Sequence, residues 1–394
     1  MKFKNKGRKI YKTKEKNYYG KSPVGKFMSG ALTVLLIGGI GFLGYSVAEP
    51  IINYTKHKGD EPTVTEPPVL QTTTEAAENP AAVTTEPATE APTEAQETYY
   101  TAAALSESAL KNPDTLRAAL SALSAEEIQF VELPLKVTGG AINYASIVPE
   151  AVTAVKSSMT LTEMIQEVES KGFEAAASLS VFKDNSLPID YPDAGYVKAA
   201  DGSPWSDVNG LPWASPYSQR AIDYNSNIVI ELTYYGFSNI ICKDLVFPDF
   251  SEDDLANLDP VLGQNDRCMS LTSAANLLYD KAVSNGASMQ IEISAEDILC
   301  GRTDILQPML LSSNNIILNI NLDTLTNGVI HGENEYKFSG TQAEKVEQCL
   351  EVVSEYLVDF NAGIKLSGQT LNKEELPEIK KVLTEYGYKS LIVG

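Results

Sequence analysis

Glu292 and Asp244 are the carboxylates of this sequence that are best placed to do acid–base chemistry. Glu292 lies near the carboxyl end of a predicted strand at 288–294, on the face that it shares with Gln290 and Ser294. Asp244 belongs to a predicted strand at 238–247, where alternation directs it to the helix layer unless a bulge turns it inward. Because positioned carboxylates can transfer protons, these two are the candidate catalytic residues.

Other charged residues occupy neighbouring strand positions. By the period-two count that also directs Glu292 inward, Glu132 and Lys136 share the inward face of a predicted strand at 129–137. Glu132 lies early in this strand, where we expect an ion pair with a lysine. Lys136 and Lys243 could hold a polar or anionic ligand group, or could neutralise Glu132 and Glu292. Neutralisation is favoured because buried charges are seldom left unpaired. Asp184, at the end of the third predicted strand, is either a ligand contact or a turn-forming residue.

Strands and helices alternate from about residue 97 to the end of the chain. Strict alternation predicts parallel strands with helical crossovers, and eight strands favour closure into a (β/α)₈ TIM barrel of typical size. The predicted strands are 98–105, 129–137, 173–182, 238–247, 288–294, 315–322, 363–366 and 390–393.

Start and stop signals place the helices between these strands. Thr160 with Glu163, and Thr341 with Glu344, have the spacing of capping boxes. A helix is also predicted from about 218 to 235. The last helix is predicted to begin at Asn372, with Pro377 in its first turn.

The loop between the third strand and its helix is unusually long, some thirty residues, and carries Trp205, Trp213 and Tyr217. Long loops in compact domains are commonly functional, and loops after barrel strands build the binding site. We therefore expect this loop to border the site.

The amino-terminal part predicts a membrane anchor. Residues 1–26 hold nine Lys and one Arg against one Glu, and the 22 residues of 27–48 carry no charge. A helix of that length, about 33 Å, spans a bilayer, and the basic flank stays cytoplasmic. The alternative is a signal peptide cleaved after Ala48. Residues 49–96, rich in Thr, Pro and Glu, predict a disordered stalk that holds the barrel of residues 97–394 outside the cell.

Charge and cysteine content exclude other classes of function. Of the chain's 31 basic and 52 acidic residues, 12 and 11 lie in residues 1–100, which leaves a net charge of −22 in the remainder. Nucleic acid is therefore not an expected partner of this domain. The four cysteines show no C-x-x-C spacing and only two histidines occur, so neither a metal nor a cofactor is expected. The cysteines are either two disulfides or buried thiols.

An ordered set of motifs lies between about residues 98 and 300. The motifs are Val181-Phe182-Lys183-Asp184, Gly202-Ser203-Pro204-Trp205-Ser206-Asp207, Trp213-Ala214-Ser215-Pro216-Tyr217, Asp223-Tyr224-Asn225 and Phe247-Pro248, with a weaker match at Ile293-Ser294-Ala295-Glu296-Asp297. This set resembles the putative glycosyl hydrolase domain family of bacterial proteins. The resemblance implies a TIM barrel related to glycoside hydrolases, and the anchor and stalk also resemble that family's architecture.

Two acidic motifs of that family are changed here. The second strand has Pro134-Leu135-Lys136-Val137 in place of a motif with two aspartates. On the fourth strand, Lys243 stands where the resemblance implies a carboxylate and Val246 where it implies an arginine. Glycoside hydrolysis normally needs two carboxylates across the scissile bond, so the sequence predicts degenerate catalytic acids.

Three functions remain open from the sequence. The first is a degenerate barrel that binds extracellular or cell-wall polysaccharide, with Trp205 and Trp213 stacking on sugar rings or only fixing the loop to the barrel. The second is an active glycoside hydrolase that uses Asp244 and Glu292. The third is a surface scaffold that binds a protein partner. The candidate substrate-binding residues are Lys136, Asp184, Trp205, Trp213, Tyr217, Lys243 and Asn321.

Overall fold

The computed structural model describes residues 100–123, 128–259, 262–301, 308–331, 334–368 and 371–394. The predicted cytoplasmic tail, membrane span and stalk, residues 1–96, lie outside these ranges. Within them, no helix has the length and hydrophobicity of a transmembrane span.

Eight parallel strands form a closed barrel, as the alternating pattern predicts. Each strand pairs with its neighbours in the chain, and the first pairs with the last through Tyr100 and Ser390. The strands are β1 Tyr100–Ala104, β2 Phe130–Lys136, β3 Glu174–Ser180, β4 Asn239–Lys243, β5 Ser288–Ser294, β6 Asn315–Asn321, β7 Asn361–Ser367 and β8 Ser390–Val393.

Helices follow the strands and cover the outside of the barrel. The covering helices are α1 Pro113–Ser121, α2 Leu161–Glu169, α3 Gln219–Tyr234, α4 Gln264–Ser284, α5 Ala295–Leu299, α6 Gln342–Val353 and α7 Leu376–Glu385. Shorter helices lie in the loops at Ser186–Asp190, Glu252–Asn257 and Leu322–Asn327, and single 3₁₀ turns at Glu107–Lys111, Pro149–Ala151, Pro192–Ala194, Pro308–Leu310 and Ser354–Leu357. Two small antiparallel ribbons pair Val197–Lys198 with Leu258–Asp259 and Val329–His331 with Asn334–Tyr336.

The capping predictions are confirmed at α2 and α6. The side chains of Thr160 and Thr341 accept from the backbone N–H three residues on, and Glu163 and Glu344 complete the two capping boxes. The predicted start of α7 at Asn372 is wrong, because the helix begins at Leu376. Its first turn does contain Pro377.

The main core lies between the sheet and the helices, built from residues such as Leu133, Ile228 and Leu350. The barrel interior is filled separately. Near its amino-terminal end, the floor, it holds a small cluster of Ala176, Ile241, Ile317 and Ile392. Lys243, Glu292 and Lys365 point inward above this cluster, so charged groups lie towards the carboxyl ends of the strands.

Candidate functional site

A cleft opens at the carboxyl-terminal end of the barrel and consists of two adjoining cavities. The inner cavity, about 340 Å³, is bordered by the ends of β4, β5 and β6. The outer cavity, about 390 Å³, is bordered by the long loop after β3 and the loop after β4. Lys183, Asp244, Val246 and Asp297 line both cavities. We call the two together the mouth cleft.

Asp244 lines the mouth cleft because its backbone is left-handed. Its φ is +57°, and among the described residues it is the one non-glycine residue with positive φ. Asp244 Oδ2 accepts hydrogen bonds from Ser180 Oγ at 2.6 Å and Thr138 Oγ1 at 2.8 Å. The expectation that Asp244 points to the helix layer is therefore wrong: strand alternation ends at Lys243, and the left-handed residue reverses the direction.

Glu292 lies on the wall of the inner cavity and is ion-paired below. Lys365 Nζ, from β7, contacts Glu292 Oε2 at 2.9 Å and Glu132 Oε1 at 2.7 Å, and these side chains are 8%, 8% and 3% exposed. Asn319 Nδ2 donates to Glu292 Oε1 at 2.8 Å. The prediction that Glu132 pairs with a barrel lysine is confirmed. Burial opposes charge on Lys365, but the attraction of Glu132 and Glu292 outweighs it and raises the pKa of Lys365.

The predicted neutralising role of Lys136 and Lys243 is wrong, because Lys365 fills it. Lys243 ends β4 on the inward face and lines the inner cavity, and among the described residues no carboxylate forms an ion pair with it. Lys183 lies over the ring of Trp213 at 5.7 Å from the centroid. The cleft therefore has two lysines of its own beside its carboxylates.

Lys136 is buried behind β3 and does not line the mouth cleft. The pairing of β2 with β3 shifts register between Pro134 and Lys136. This irregularity turns the lysine to the helix side, where it donates to Asn225 Oδ1 of α3 at 3.0 Å. Lys136 Nζ pairs with Asp184 Oδ2 at 2.9 Å, and both side chains are 0% exposed. The expectation that Lys136 faces the barrel interior is wrong.

Asp184 has the turn-forming role that was one of its two interpretations. Its Oδ1 accepts from the backbone N–H groups of Ser186 at 2.9 Å and Leu187 at 3.0 Å. It also packs against Gly140, where an added Cβ would lie 2.0 Å from Asp184 Oδ1. Asp184 thus fixes the start of the long loop from beneath.

The two tryptophans of the long loop have different environments. Trp205 is 4% exposed, donates from Nε1 to Asp254 Oδ1 at 2.7 Å and packs with Tyr196 and Phe250. It fixes the loop, which was the structural alternative for this residue. Trp213 is half-buried, lines the outer cavity and donates from Nε1 to Asp207 Oδ2 at 3.1 Å. Of the two tryptophans, Trp213 is therefore the one that a ligand in the cleft could contact.

Tyr217 and Asn321 also have structural contacts. Tyr217 packs against Phe247 with ring centroids 6.0 Å apart, beside the Trp205 cluster. Asn321 lines the inner cavity, but its Oδ1 accepts from the N–H groups of Asp323 and Thr324 and so caps the helix Leu322–Asn327. Its amide nitrogen is the part that a ligand could use.

The inner cavity also holds residues that were not among the candidates. Glu296 and Asp297 lie in the first turn of α5, which Ser294 caps, and Asn319 precedes Asn321 on the same face of β6. Lys365 could have been found by extending the period-two count to the seventh strand. Ser180 and Thr138 could not have been found in this way, because they contact Asp244 only as a result of its left-handed backbone.

The four cysteines are all buried free thiols, which was one of the two alternatives. Burial raises the pKa of Cys242 and of Cys349 to about 12, so both are inert at neutral pH. Among the described residues, no group of three or more His, Cys, Asp or Glu side chains could hold a metal ion.

Comparison with known protein families shows to which family the chain belongs. The pattern of the family described as "putative glycosyl hydrolase domain" matches residues 102–298, half of the chain. The chain belongs to this family. The matched range runs from β1 to α5 and includes Asp244 and Glu292. Asn319, Asn321 and Lys365 belong to barrel strands that follow the matched range.

Solved structures are similar to this chain at low sequence identity, and the first below has the same fold. The glycoside hydrolase domain of PgaB (BpsB) from Bordetella bronchiseptica is 13% identical, with a TM-score of 0.54 over 75% of this chain and 94% of that one. Alpha-L-fucosidase isoenzyme 2 from Paenibacillus thiaminolyticus is 14% identical, with a TM-score of 0.46 over 75% of this chain and 46% of its own. A hypothetical protein from Ruminiclostridium thermocellum is 18% identical, with a TM-score of 0.39 over 48% of this chain and 96% of its own. No curated protein matches.

Proposed function

We propose that this glycoside hydrolase-like barrel binds a polysaccharide, such as a cell-wall glycan, in the mouth cleft. The observation that carries the proposal is the composition of that cleft. Its inner cavity is lined by carboxylates, amides and Lys243, which suit sugar hydroxyls, and its outer cavity is lined by Trp213, whose ring suits the apolar face of a sugar. Membership of the family and the barrel fold support the same ligand class.

Binding is favoured over turnover because other residues replace the expected acids. Lys243 ends β4 where the family resemblance implies a carboxylate, and β2 has Pro134 and Val137 in place of two aspartates. Glu292, the remaining acid on the inward face of β5, has both oxygens occupied by Lys365 and Asn319. Glu292 is therefore held in place as a hydrogen-bond acceptor.

Binding can be tested with a polysaccharide panel in affinity electrophoresis and titration calorimetry. The Trp213→Ala variant should raise Kd about tenfold, equivalent to about 1.4 kcal/mol, and Trp213→Phe should recover part of it. The matched control is Tyr234→Ala, an 80% exposed aromatic residue near the end of α3, at the floor side of the barrel. Absence of binding across the panel, or equal Kd values for Trp213→Ala and Tyr234→Ala, would refute the proposal.

A second candidate function is hydrolysis of a glycosidic bond, favoured by the left-handed backbone that brings Asp244 into the cavity with Glu292. Glu292, which is ion-paired with Lys365, would be the nucleophile or general base. Asp244 would protonate the leaving oxygen through Oδ1, since Oδ2 is held by Ser180 and Thr138.

Release of reducing ends from the same panel separates the two candidates. An active enzyme should lose most turnover in Glu292→Gln and in Asp244→Asn while retaining binding. Binding without any release by the wild-type protein would leave only the first candidate, and release that survives both substitutions would exclude these residues as the acids.

We also propose that the barrel acts outside the cell, anchored by residues 27–48 and extended by the stalk. The support is the uncharged 22-residue stretch behind a basic flank. Protease added to intact cells should release the barrel in soluble form. Protection from protease until the cells are lysed would contradict this topology.

A further inference from the structure

A buried lysine connects the mouth cleft with the interior of the barrel. Lys365 Nζ donates to Glu132 Oε1 at 2.7 Å, Glu132 Oε2 at 2.8 Å and Glu292 Oε2 at 2.9 Å. Glu292 lines the inner cavity of the mouth cleft, whereas Glu132 lines a separate cavity of about 470 Å³ that enters from the floor. Lys365 therefore lies between the two, with one anion on each side.

The two carboxylates compete for the same cation. An ammonium group has three N–H donors, and here Glu132 receives two of them and Glu292 one. The second oxygen of Glu292 is served by Asn319 Nδ2, and Asn319 Oδ1 is itself fixed by Ser367 Oγ at 2.7 Å. Both oxygens of Glu292 thus accept hydrogen bonds from fixed donors.

We propose that Lys365 is a positioning residue of the mouth cleft, which fixes Glu292 as a carboxylate, and that Glu132 limits how strongly it does so. The inference rests on the proposed function, because it assigns the state in which Glu292 meets a saccharide. Glu292 then acts as a hydrogen-bond acceptor, or as nucleophile or base if bonds are cleaved, and never as the proton donor.

Other charged groups also face Glu292 and define what the test must separate. Within the described part of the chain, Lys365 is the cation in ion-pair contact with Glu292. The charged groups that line the same cavity are Lys183 after β3, Lys243 and Asp244 at the end of β4, and Glu296 and Asp297 of α5. These groups are unchanged in variants at positions 132 and 365. A change in the titration of Glu292 in such variants therefore reports its contacts with Lys365 and, through Lys365, with Glu132.

The decisive experiment measures the titration of Glu292 directly by carbon-13 NMR of the full-length protein labelled at glutamate side-chain carboxyls. The Glu292→Gln variant identifies the resonance. In Lys365→Met, two buried carboxylates remain without their cation, so Glu292 should titrate at a higher pH than in the wild-type protein. In Glu132→Gln, Glu292 is the one carboxylate that remains paired with Lys365. Glu292 should therefore titrate at a lower pH than in the wild-type protein. Shifts of opposite sign are not expected from a general loosening of the fold.

A titration of Glu292 that is unchanged in Glu132→Gln, or that moves in the same direction in both variants, would overturn the proposal. Should Lys365→Met fail to fold, Glu132→Gln alone decides, because it keeps the cation paired. Glycan binding measured against pH is an independent readout. Opposite NMR shifts in a protein that binds no glycan would refute the proposed function while leaving the effect of Lys365 on Glu292 established.

Discussion

Replacement of Lys136 by Met should severely destabilise the barrel without touching the mouth cleft. Lys136 and Asp184 form an ion pair of 2.9 Å in which neither side chain is exposed. Lys136 Nζ also donates to Ser180 O at 2.7 Å and Asn225 Oδ1 at 3.0 Å. Methionine keeps the apolar stem but leaves the carboxylate of Asp184 buried without a counter-ion.

Removal of one partner from a buried pair costs about 3–5 kcal/mol, because the remaining charge is uncompensated. The free energy of unfolding of a domain is about 5–15 kcal/mol, so Lys136→Met should remove from about a fifth of it to all of it. Urea unfolding at neutral pH measures this cost as a lower midpoint at constant slope. The double variant Lys136→Met with Asp184→Asn should cost less than the sum of the single variants, because no charge is then left unpaired.

A loss below about 1 kcal/mol in Lys136→Met would show that the pair is not as buried as its 0% exposure implies. A variant with normal stability and lost glycan binding would instead return Lys136 to the list of substrate-binding residues. Either result would refute the assignment of Lys136 to the core.

Three further predictions follow from buried or strained residues. Trp205→Ala should lower the free energy of unfolding by about 3–5 kcal/mol in urea titrations, since Trp205 is 4% exposed and its Nε1 is bonded to Asp254. Because the pKa of Lys365 is raised above its ordinary value of 10.5, its stabilisation is complete below that pH and is lost as the pH rises through the folded value. Above that pH, the urea midpoint should therefore fall less steeply with rising pH in Lys365→Met than in the wild-type protein. Asp244→Gly should be about 1–2 kcal/mol more stable than Asp244→Ala, since both lack the carboxylate and only alanine keeps a Cβ at φ +57°. In an unstrained strand the order would be the reverse.

The fold could be predicted from the sequence because each barrel strand has a short apolar pattern bounded by turn signals. β5 and β8 have the predicted bounds, and the other strands overlap their predictions over most of their length. The spacing of apolar residues along a short segment decides whether that segment forms a strand or a helix. Closure followed from the number of strands, and the pairing of β1 with β8 confirms it.

The site could be predicted only in part, because side-chain direction at a strand end depends on a single residue. The period-two count placed Lys136 in the interior and Asp244 outside, and both directions are reversed. Pro134 was an available signal for the first, since proline cannot donate to the ladder and within a sheet marks an edge or a bulge. No comparable signal marks Asp244. Glu132 and Glu292, which lie inside regular strands, were placed correctly by the same count.

The reversal at Asp244 changes how the lost family motif should be interpreted. In the sequence, a lysine replaces the carboxylate at position 243, and the next residue is an aspartate that a regular strand would direct away from the cleft. A left-handed residue other than glycine costs of order 1–2 kcal/mol and is held here by hydrogen bonds from Ser180 and Thr138. The strained backbone places the carboxylate of Asp244 at the end of β4, next to Lys243. A degenerate motif is therefore compatible with a carboxylate in the cleft, and the choice between binding and hydrolysis depends on whether Asp244 and Glu292 can act on opposite sides of one glycosidic bond.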